Sequence, residues 1–391
     1  MSVTASAVEV NVRRSGSATV SGTLVAIDDS TIEVTTSEQS QQLPLASVLS
    51  VTRLDDVAVP PPSMGRIMVD FVDRSRLAVR SFRLGDGQVV GETSDGSPFS
   101  LPDDTVSAVL FLPLSPSQQG RWRELCDAPG DGDMVVVRRN GQLDFIQLAV
   151  DDVADQSLNC TLDGQSLEVK RTKVVGIVFR QRNDVFAMTD PIGVVDFADG
   201  SQIVATTLSL TDERISLASA SGLDLTYPLG EFIRLDASAG KVFPLIELQP
   251  LLVQYAPYYP LPQASQLVRQ FMEPKFVAED ASLPSRLDGT SYDRGIVARS
   301  RTLLRYAVPS GYTRFAAVIG LLDRVRPQGL VHLRVLGDER LLFEESIAGG
   351  QPASALALDL GDARQLTIEI DYGSDDDAGD VIAICEAQFE K

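Results

Sequence analysis

The residues best suited to chemistry in this sequence are basic ones, set in a strongly acidic chain. The stretch "RGIVARSRTLLRYAV" (294–308) carries four arginines, Arg294, Arg299, Arg301 and Arg305. A guanidinium group presents a planar fork of N–H donors that matches carboxylates and phosphates. Three interpretations are open: a basic helix for nucleic acid, a membrane patch, or strands whose arginines have other partners.

Histidine and cysteine usage restricts the chemistry further. The chain holds one histidine, His332, and three cysteines, Cys126, Cys160 and Cys385. A histidine-rich zinc site is therefore excluded, and a Ser-His-Asp triad would have to use His332. The cysteines give neither a disulfide framework nor a Cys-X-X-Cys metal pair. Because His332 lies in the alternating run "GLVHLRVLGD", we expect a structural or surface histidine on a strand, and we predict no enzyme activity.

Charge and hydropathy exclude two classes of partner. The chain has 391 residues, 54 of them acidic and 34 basic, with a formal net charge of −20. Such a field repels polyanions, so we predict no binding to nucleic acid and none to anionic lipid. No apolar run reaches the roughly 18–20 residues of a membrane helix, so we predict no membrane insertion. The N-terminus lacks an apolar h-region, so either the protein stays inside the cell or residue 1 follows a removed leader.

The first 240 residues contain a repeated pattern of short strands. "VDFVDRS" (69–75) and "VDFADGS" (195–201) match at five of seven positions, so Asp73 and Asp199 should occupy equivalent turns. Alternating runs with Asp-Gly, Asn-Gly and Ser-Gly corners follow, as in β-hairpins. Units of about 45 residues with about five strands each resemble SH3-like or Sm-like barrels, and we expect neighbouring units to pack together.

Connections rich in proline and glycine set the predicted boundaries. We predict four small β units at 1–55, 66–113, 134–181 and 192–240, a linker with a short helix at 114–133, and a β-sandwich with an extended lead-in at 241–391. The segment "SPSQQGRWRELCDAPG" has a Ser-Pro start and a Pro-Gly stop, which predicts a two-turn helix anchored by Trp122. The proline-rich lead-in excludes a regular helix and favours extended segments lying across a domain surface.

The C-terminal third is predicted to be antiparallel β-structure. The apolar residues around the arginines do not recur at the helical period of 3.6, and alternating strands continue to the last residue. We expect a sandwich of about eight strands. The fold class is therefore all-β: repeated small β-barrels followed by a galactose-binding-like antiparallel β-sandwich. In it we expect most arginines to pair with acids across strands; an anionic sugar or an anionic partner is the alternative.

Three segments of this region resemble NPCBM modules, which are carbohydrate-binding modules found beside family-98 glycosyl hydrolases. They are "YDRGIVARSRTLLRYAVPSGYTRFAAVIGL" (292–321), "VHLRVLGDERLLFEE" (331–345) and "LALDLGDARQLTIEID" (356–371). The proline-rich lead-in and the repeats are similar to parts of planctomycete-type bacterial proteins. The resemblance implies the galactose-binding-like sandwich, carbohydrate binding and export from the cytoplasm.

The resemblance also points to candidate site residues. Arg299 stands where the family has histidine, and Ala383-Ile384 stand where it has Asp-Trp. Sugar sites commonly lie in loops at one end of a sandwich. We predict that Tyr292, Arg299, Asp380 and Glu386 approach one another in a shared, partly exposed pocket. Tyr292 would stack on the sugar, Arg299 would donate hydrogen bonds, and the two acids would accept them.

Together these observations predict a non-catalytic, extracytoplasmic binding protein whose partner is a carbohydrate or another protein. The alternative is a structural or assembly protein in which barrels and sandwich mediate protein contacts. No cofactor is predicted. Calcium is a candidate only for "GSDDDAGDVI" (373–382), where Gly379 falls at loop position five rather than the EF-hand position six; a solvated turn is the other interpretation.

Overall fold

The computed structural model describes residues 8–15, 19–37, 39–55, 66–128, 130–180, 191–256, 258, 273–277, 285–374, 376 and 378–391. The chain forms two compact units. The first unit comprises Met1–Arg14 with Ala18–Ala239, and the second comprises Ser15–Ser17 with Gly240–Lys391. Most of the predicted connections at 55–66 and 181–192 lie outside the described residues.

The described part of the first unit repeats one element order four times. Each copy, called barrels 1 to 4, has four successive strands, a three-residue 3₁₀ turn and a fifth strand. Barrel 1 contains β1 Glu9–Arg14, β2 Val20–Ile27, β3 Thr31–Thr35, β4 Ser40–Pro44, the turn Leu45–Ser47 and β5 Val48–Arg53. Barrel 2 contains β6 Ile67–Phe71, β7 Arg76–Gly85, β8 Gln88–Thr93, β9 Pro98–Pro102, the turn Asp103–Thr105 and β10 Val106–Leu110.

Barrels 3 and 4 follow a helix, α1 Pro116–Asp127. Barrel 3 contains β11 Asp133–Arg139, β12 Gln142–Val153, β13 Ser157–Leu162, β14 Gln165–Lys170, the turn Arg171–Lys173 and β15 Val174–Val178. Barrel 4 contains β16 Gly193–Phe197, β17 Gln202–Thr211, β18 Arg214–Ser219, β19 Asp224–Pro228, the turn Leu229–Glu231 and β20 Phe232–Asp236.

Closure by the fifth strand makes each copy a small barrel. The first and fifth strands pair antiparallel in all four, as β1–β5, β6–β10, β11–β15 and β16–β20. The register shifts once in each pair, which marks a β-bulge that bends the closing sheet. In three barrels a proline, Pro44, Pro102 or Pro228, ends the fourth strand. Proline cannot donate to a ladder, so the strand stops there and the 3₁₀ turn begins.

The four barrels are themselves two copies of a pair. All five strand starts of barrel 2 recur 126 residues later in barrel 4, as from Ile67 to Gly193. In barrel 1 the third and fifth strands recur with the same shift in barrel 3, as from Val48 to Val174. The strand pairs that join two barrels are related by the same shift. Ala108 pairs with Val178 in β10–β15, and their counterparts Arg234 and Thr52 pair in β5–β20. Barrels 2 and 3 are therefore joined edge to edge in the same way as barrels 4 and 1.

The two matched heptapeptides form equivalent turns, as predicted. Asp73 Oδ1 accepts a hydrogen bond from the backbone N–H of Ser75 at 2.8 Å, and Asp199 Oδ1 accepts one from Ser201 at 2.8 Å. Both aspartates and both serines are buried. A short acid that satisfies its own turn explains why Asp and Ser recur at these spacings.

Ser75 and Ser201 also link barrels 2 and 4 reciprocally. The hydroxyl oxygen of Ser75 accepts from the backbone N–H of Val204, and that of Ser201 accepts from the N–H of Ala78, each at 3.0 Å. The two bonds are related by the 126-residue shift, so a local two-fold axis passes between the two serines. Each hydroxyl thus accepts a backbone N–H from the other barrel, that of Ala78 in a buried bond and that of Val204 in a part-buried one.

Helix α1 is longer than predicted, with 12 residues and therefore about three turns. The backbone N–H of Ser115 donates to Gln118 Oε1 at 3.0 Å and caps its start. Trp122 and Leu125 are buried in an apolar cluster with residues of β10 and β15, and this packing extends the helix beyond two turns. The described residues contain no helix with the length and apolarity that a membrane-spanning segment needs.

The second unit is an antiparallel sandwich of two sheets. Sheet B has the order β23-β26-β33-β28-β31, with β21 also paired to β33, and sheet C has the order β22-β27-β32-β29-β30. The strands are β21 Val242–Pro244, β22 Leu252–Tyr255, β23 Lys275–Val277, β24 Ser285–Leu287, β25 Thr290–Tyr292, β26 Gly295–Arg299, β27 Thr302–Ala307, β28 Arg314–Leu321, β29 Leu330–Gly337, β30 Arg340–Ala348, β31 Ser354–Asp359, β32 Gln365–Tyr372 and β33 Val381–Glu390.

Eight strands, β26 to β33, account for the expected sandwich, and shorter strands are added to it. β21, β22 and β23 come from the lead-in and pair with both sheets, while β24 and β25 form a separate hairpin. The extended segments predicted for the lead-in are thus short added strands. Alternate residues of both sheets meet in one core, where the rings of Phe315 and Phe389 lie 5.8 Å apart.

The arginine stretch forms β26 and β27. In it Arg301 lies 3.8 Å from Asp371 on β32, whereas Arg305 donates to the hydroxyl of Thr367; further along the sandwich Arg334 pairs with Glu369. The helical interpretation of the stretch is excluded, because both of its apolar runs are paired strands.

Replacement of either reciprocal serine should destabilise the first unit. Ser201→Ala removes the acceptor of the buried Ala78 N–H, and Ser75→Ala removes that of the part-buried Val204 N–H, so we expect a loss of about 1–3 kcal/mol in unfolding free energy. Trp122, the chain's one tryptophan, lies in this unit and reports its unfolding by fluorescence in urea. Ser100→Ala, on an exposed strand position, should change the value by less than about 0.5 kcal/mol. Equal midpoints for all three variants would contradict the reciprocal link.

Gly176 should tolerate no side chain. A Cβ there would lie 2.5 Å from Trp122 Cη2 and 2.5 Å from the backbone oxygen of Val109. Gly176→Ala should therefore destabilise the first unit by about 1–3 kcal/mol. The matched control is Gly230→Ala, where a Cβ meets nothing within 4 Å. The same fluorescence titration measures both variants, and a neutral Gly176→Ala would show that the helix does not pack there.

Candidate functional site

The candidate site is built on a strand that is buried on both faces. In β33, Ile382 and Ile384 point into the core between the sheets, and Val381, Ala383 and Cys385 point outward. All five are at most 2 % exposed. The outward set would face water in a plain sandwich, so another element has to cover it.

The β24–β25 hairpin supplies that cover. Its two-residue turn, Asp288-Gly289, has φ values of 51° and 76°. Positive values at both positions are typical of the type I′ turn, whose twist suits a tight hairpin. Leu287 is buried against the outward face of β33, together with Leu322, which directly follows β28.

A polar network fixes the hairpin tip. Asp323 accepts from the backbone N–H groups of Asp288 and Gly289, both at 2.8 Å. Arg326 forms an ion pair with Asp288, and its Nε donates to the carbonyl of Gly349 at 2.7 Å. The hydrogen bond from Arg326 is the main cause that lowers the pKa of Asp288. Charge-assisted bonds of this kind hold a short hairpin in one orientation.

A cleft opens between the hairpin, the edge strand β23 and the 3₁₀ turn Asp323–Val325. We call it the basic cleft. Its apolar floor is formed by Val277, Val297 and Leu322, and its basic rim by Lys275, Arg286 and Arg324. Apolar surface flanked by a few directed polar groups is the usual composition of a small-molecule site.

The described residues that line the basic cleft carry a net positive charge. Asp323 is the acid among its described lining residues, and its two oxygens already accept the N–H groups of the hairpin tip. On the rim, Arg324 is exposed, and Arg286 donates from Nη2 to the Gly289 carbonyl at 3.1 Å. Three cations therefore surround one carboxylate that is already hydrogen-bonded.

Arg299 lies near this cleft, on the same face of β26 as Val297. Ile296 and Ala298 point into the core, so Val297 and Arg299 share the outward face. Residues two apart on a strand are about 7 Å apart, so Arg299 begins just beyond the floor. Of the four residues predicted from the sequence, Arg299 is therefore positioned beside the cleft.

The four predicted residues do not form one shared pocket. They separate into two pairs at opposite ends of the β26–β33 ladder. Arg299 pairs with Val381, the neighbour of Asp380, while Glu386 donates its backbone N–H to the carbonyl of Arg294 near Tyr292. The ends of β26 are four residues apart, or about 13 Å. The expected convergence fails because Asp380 and Glu386 flank the stretch Val381 to Cys385 of β33, and that stretch pairs with β26 along its whole length.

Asp380 has a clear structural task. It is 1 % exposed, its Oδ2 accepts from Ser300 Oγ at 2.6 Å, and its Oδ1 accepts from the Leu330 N–H at 2.9 Å. These bonds join three loops at one end of the sandwich. Both oxygens are engaged, so the expected role as acceptor for sugar hydroxyls is corrected to that of a loop anchor.

Glu386 and Tyr292 lie at the other end. Glu386 has φ of 48° and stands where the register of β33 shifts against β28, so a bulge sets its position. Tyr292 ends β25 and packs partly buried against the cluster under the hairpin. Burial, followed by the nearby Cys385 and Glu386, raises the pKa of its hydroxyl. Its ring is therefore a packing element at the base of the hairpin.

The calcium candidate is only partly within the described residues, since residues 375 and 377 of the loop lie outside them. Among the residues the structure describes, no group of three or more His, Cys, Asp or Glu side chains is placed to hold a metal ion. Gly379 matters for another reason. Its carbonyl oxygen would lie 2.5 Å from a Cβ at Gly329, whose φ is 92°, so only glycine allows these loops to approach.

His332 lies on the outward face of sheet C. Its Nδ1 is 3.1 Å from Ser346 Oγ, and its Nε2 is 3.0 Å from Glu344 Oε1. These are the residue types of a Ser-His-Glu triad. They lie on adjacent strands, however, with Ser346 and Glu344 exposed to solvent. Acyl transfer needs donors arranged around a developing oxyanion in a water-excluded site. The arrangement is a surface hydrogen-bond ladder.

Sequence reasoning missed the basic rim. Lys275, Arg286 and Arg324 lie 11 and 38 residues apart, and nothing in their spacing shows that they share a cleft. One local signal was available: Asp288-Gly289 predicts a hairpin, which fixes where Arg286 can point. The position of that hairpin over β33 is a tertiary feature.

Comparison with known proteins agrees with the C-terminal resemblance. Residues 268–390 match the family described as NPCBM/NEW2 domain. An 88-residue segment is 31% identical to a protein of Renibacterium salmoninarum named "Putative endo-alpha-N-acetylgalactosaminidase". That match covers 22% of this chain and 6% of the relative, so the chain spans a small fraction of the relative's length.

Two similar solved structures carry CBM51 modules. The CBM51 of Clostridium perfringens GH95, in complex with methyl-galactose, is 16% identical, with a TM-score of 0.32 over 38% of this chain and 99% of that one. The tandem CBM51 modules of a family 98 glycoside hydrolase from Streptococcus pneumoniae are 9% identical, with a TM-score of 0.32 over 83% of this chain and 99% of that one. At these values the fold assignment rests on the strand order described above. Residues 268–390 thus form an NPCBM/NEW2 domain, whose described strands make an antiparallel β-sandwich and which follows the repeated small barrels in the chain.

Proposed function

We propose that this protein is a non-catalytic carbohydrate-binding protein and that the basic cleft of its sandwich is the binding site. The observation that carries the proposal is that the cleft lies inside the segment that matches the NPCBM/NEW2 family, residues 268–390. NPCBM domains are binding modules. A location outside the cytoplasm is part of the same proposal and follows from the family resemblance alone.

The chemistry of the cleft suits a sugar ring. A pyranose has an apolar face of C–H groups and a rim of hydroxyls, and the cleft has an apolar floor with polar groups around it. The ring would lie on Val277 and Val297, and guanidinium and ammonium groups would donate to its oxygens. Because the ring would lie on aliphatic side chains, the site needs no aromatic side chain for stacking. Binding would therefore not require the tryptophan that the family has where this chain has Ile384.

The four residues predicted from the sequence take different parts in this proposal. Arg299 would extend the rim at one end of the floor, where it can donate to a second sugar unit. Tyr292 would support the hairpin from below, and Glu386 would fix the opposite end of the strand pair. Asp380 would act only by positioning the loops that it anchors.

We propose that the barrels, which we relate to SH3-like or Sm-like barrels, provide protein contacts. The observation in favour is that barrel 3 exposes four large apolar side chains, each at least 38 % accessible: Phe145, Ile146, Leu162 and Leu167. Barrels in this chain already join edge to edge through β10–β15 and β5–β20, so their edges are competent for strand pairing. If no sugar binds, an assembly role for the whole chain is the surviving function.

Sugar binding is tested by titration calorimetry of the full chain against a panel of neutral and acidic monosaccharides and disaccharides. We expect millimolar binding, about −4 kcal/mol, to at least one sugar. Val297→Gln should weaken it about tenfold, because it places a polar group on the apolar floor. Val253→Gln, on the other sheet and 43 % exposed, is the matched control. Absence of heat with every sugar would reject the proposal.

The variant Asp380→Ala tests whether Asp380 anchors the loops of the sandwich or contacts the sugar. It removes the acceptor of the Ser300 and Leu330 donors, so the sandwich should lose about 2–5 kcal/mol of unfolding free energy. Circular dichroism in urea should show an earlier transition, while Trp122 fluorescence, which reports the first unit, should not move. Affinity of the folded protein for the sugar found above should stay within about twofold, as expected for a residue outside the contact. A loss of affinity without a loss of stability would show instead that Asp380 contacts the sugar.

A further inference from the structure

The basic cleft has a composition opposite to that of the chain around it. The chain carries 54 acidic and 34 basic residues, but the described lining of the cleft carries Lys275, Arg286 and Arg324 against Asp323. We propose that the preferred ligand is an acidic sugar, one whose ring carries a carboxylate. This inference rests on the proposed function, because it assumes that a sugar occupies the cleft.

The geometry places the cations where a ring substituent would reach them. The rim residues come from three elements, β23, β24 and the turn after β28, so they surround the floor instead of following one strand. Arg286 stands on the hairpin, whose tip is fixed by Asp323 and Arg326. A ring on Val297 and Val277 therefore has cationic groups on more than one side.

The acid in the cleft does not cancel this charge. Asp323 accepts two backbone N–H bonds at 2.8 Å and lies 3.7 Å from Arg326, so its charge is already compensated. Arg324, its neighbour, forms no ion pair with any residue that the structure describes. An incoming carboxylate can therefore pair with the Arg324 guanidinium.

The acidity of the whole chain does not prevent this binding. Charges beyond about 8 Å are largely screened at physiological ionic strength, so the local rim decides the potential in the cleft. The surrounding acidic side chains instead select between anions by size. They repel long polyanions such as nucleic acid, whereas a single carboxylate on a small ring can enter.

Arginine favours a carboxylate for a geometric reason. Two of the three rim cations are arginines, and a guanidinium fork donates two parallel hydrogen bonds to the two oxygens of one carboxylate. Neutral hydroxyls accept single bonds and gain less from the positive field. The discrimination between an acidic sugar and its neutral counterpart should therefore be carried by charge.

The test compares galacturonate with its methyl ester, which differ by one charge and one methyl group. Titration calorimetry of the full chain should show galacturonate binding at least about tenfold more tightly than the ester, as one charge-assisted contact predicts. Raising the salt from 50 to 500 mM should weaken the acid and leave the ester within about twofold, because screening acts on the charge. Galactose 6-sulfate, as a further arm, shows whether another sugar-borne anion serves equally.

The double variant Arg286→Gln/Arg324→Gln locates the effect. Both side chains are exposed, so the variant should fold, and its thermal transition checks this. The ratio between acid and ester should fall to about one, as expected when the cationic groups carry the discrimination. Arg305→Gln, on sheet C beside Thr367, removes one charge from the other face and should leave the ratio unchanged.

The outcomes are distinct. If acid and ester bind equally, the acidic preference is wrong and the carbohydrate function stands. If the preference persists in the double variant, the anion is bound elsewhere and the assignment to this cleft is wrong. If the sulfate binds as tightly as the carboxylate, the ligand is any anionic sugar and the carboxylate geometry is overturned. If no sugar binds at all, both the proposed function and this inference are wrong.

Discussion

Closure of each module by its last strand is the constraint on which both units depend. In the barrels the fifth strand returns to pair with the first, and without that pairing the four preceding strands would be an open, highly bent sheet with little buried surface. In the sandwich, β33 pairs with β26, β28 and β21, so one strand holds together elements from the beginning, middle and lead-in of the module. Closure of the barrels in this way leaves few unpaired strand edges there for aggregation.

The position of β33 also explains why a cleft exists. A central strand that is apolar on both faces must be covered on both faces, and the sandwich core covers only one. The β24–β25 hairpin covers the other, and the gap between the hairpin and the edge strand β23 becomes the basic cleft. Its charge then follows from side chains on elements whose backbones are fixed for packing reasons. The hairpin that covers β33 therefore also forms one wall of the proposed binding site.

In the first unit, the packing still shows that one barrel pair is a copy of the other, although most of the sequence similarity between them has been lost. Under the 126-residue shift, buried positions such as Asp73 and Asp199 keep their residue type because each satisfies a turn. Positions under helix α1 differ: Leu110 lies below the helix, while Asp236 is its counterpart. Among the described residues, helix α1 covers the β10–β15 junction, and Leu110 is apolar there, whereas its counterpart Asp236 at the β5–β20 junction is charged.

The sequence alone determined the features that depend on neighbouring residues. Alternation, Asp-Gly corners and the "VDF" heptapeptides predicted an all-β chain, the equivalence of Asp73 and Asp199, and the antiparallel sandwich, since these follow from local turn chemistry and period-2 burial. The motifs at 292–371 predicted the NPCBM domain that the family comparison confirms. Tertiary structure decided which residues meet. Asp380 and Glu386 are six residues apart and were expected to converge, but an extended strand separates them by about 20 Å. Lys275 and Arg324 are 49 residues apart, and a hairpin folded over β33 brings them to one cleft. Spacing along a chain fixes local turns, but only the packing of strands, which pairs residues distant in sequence, fixes the site.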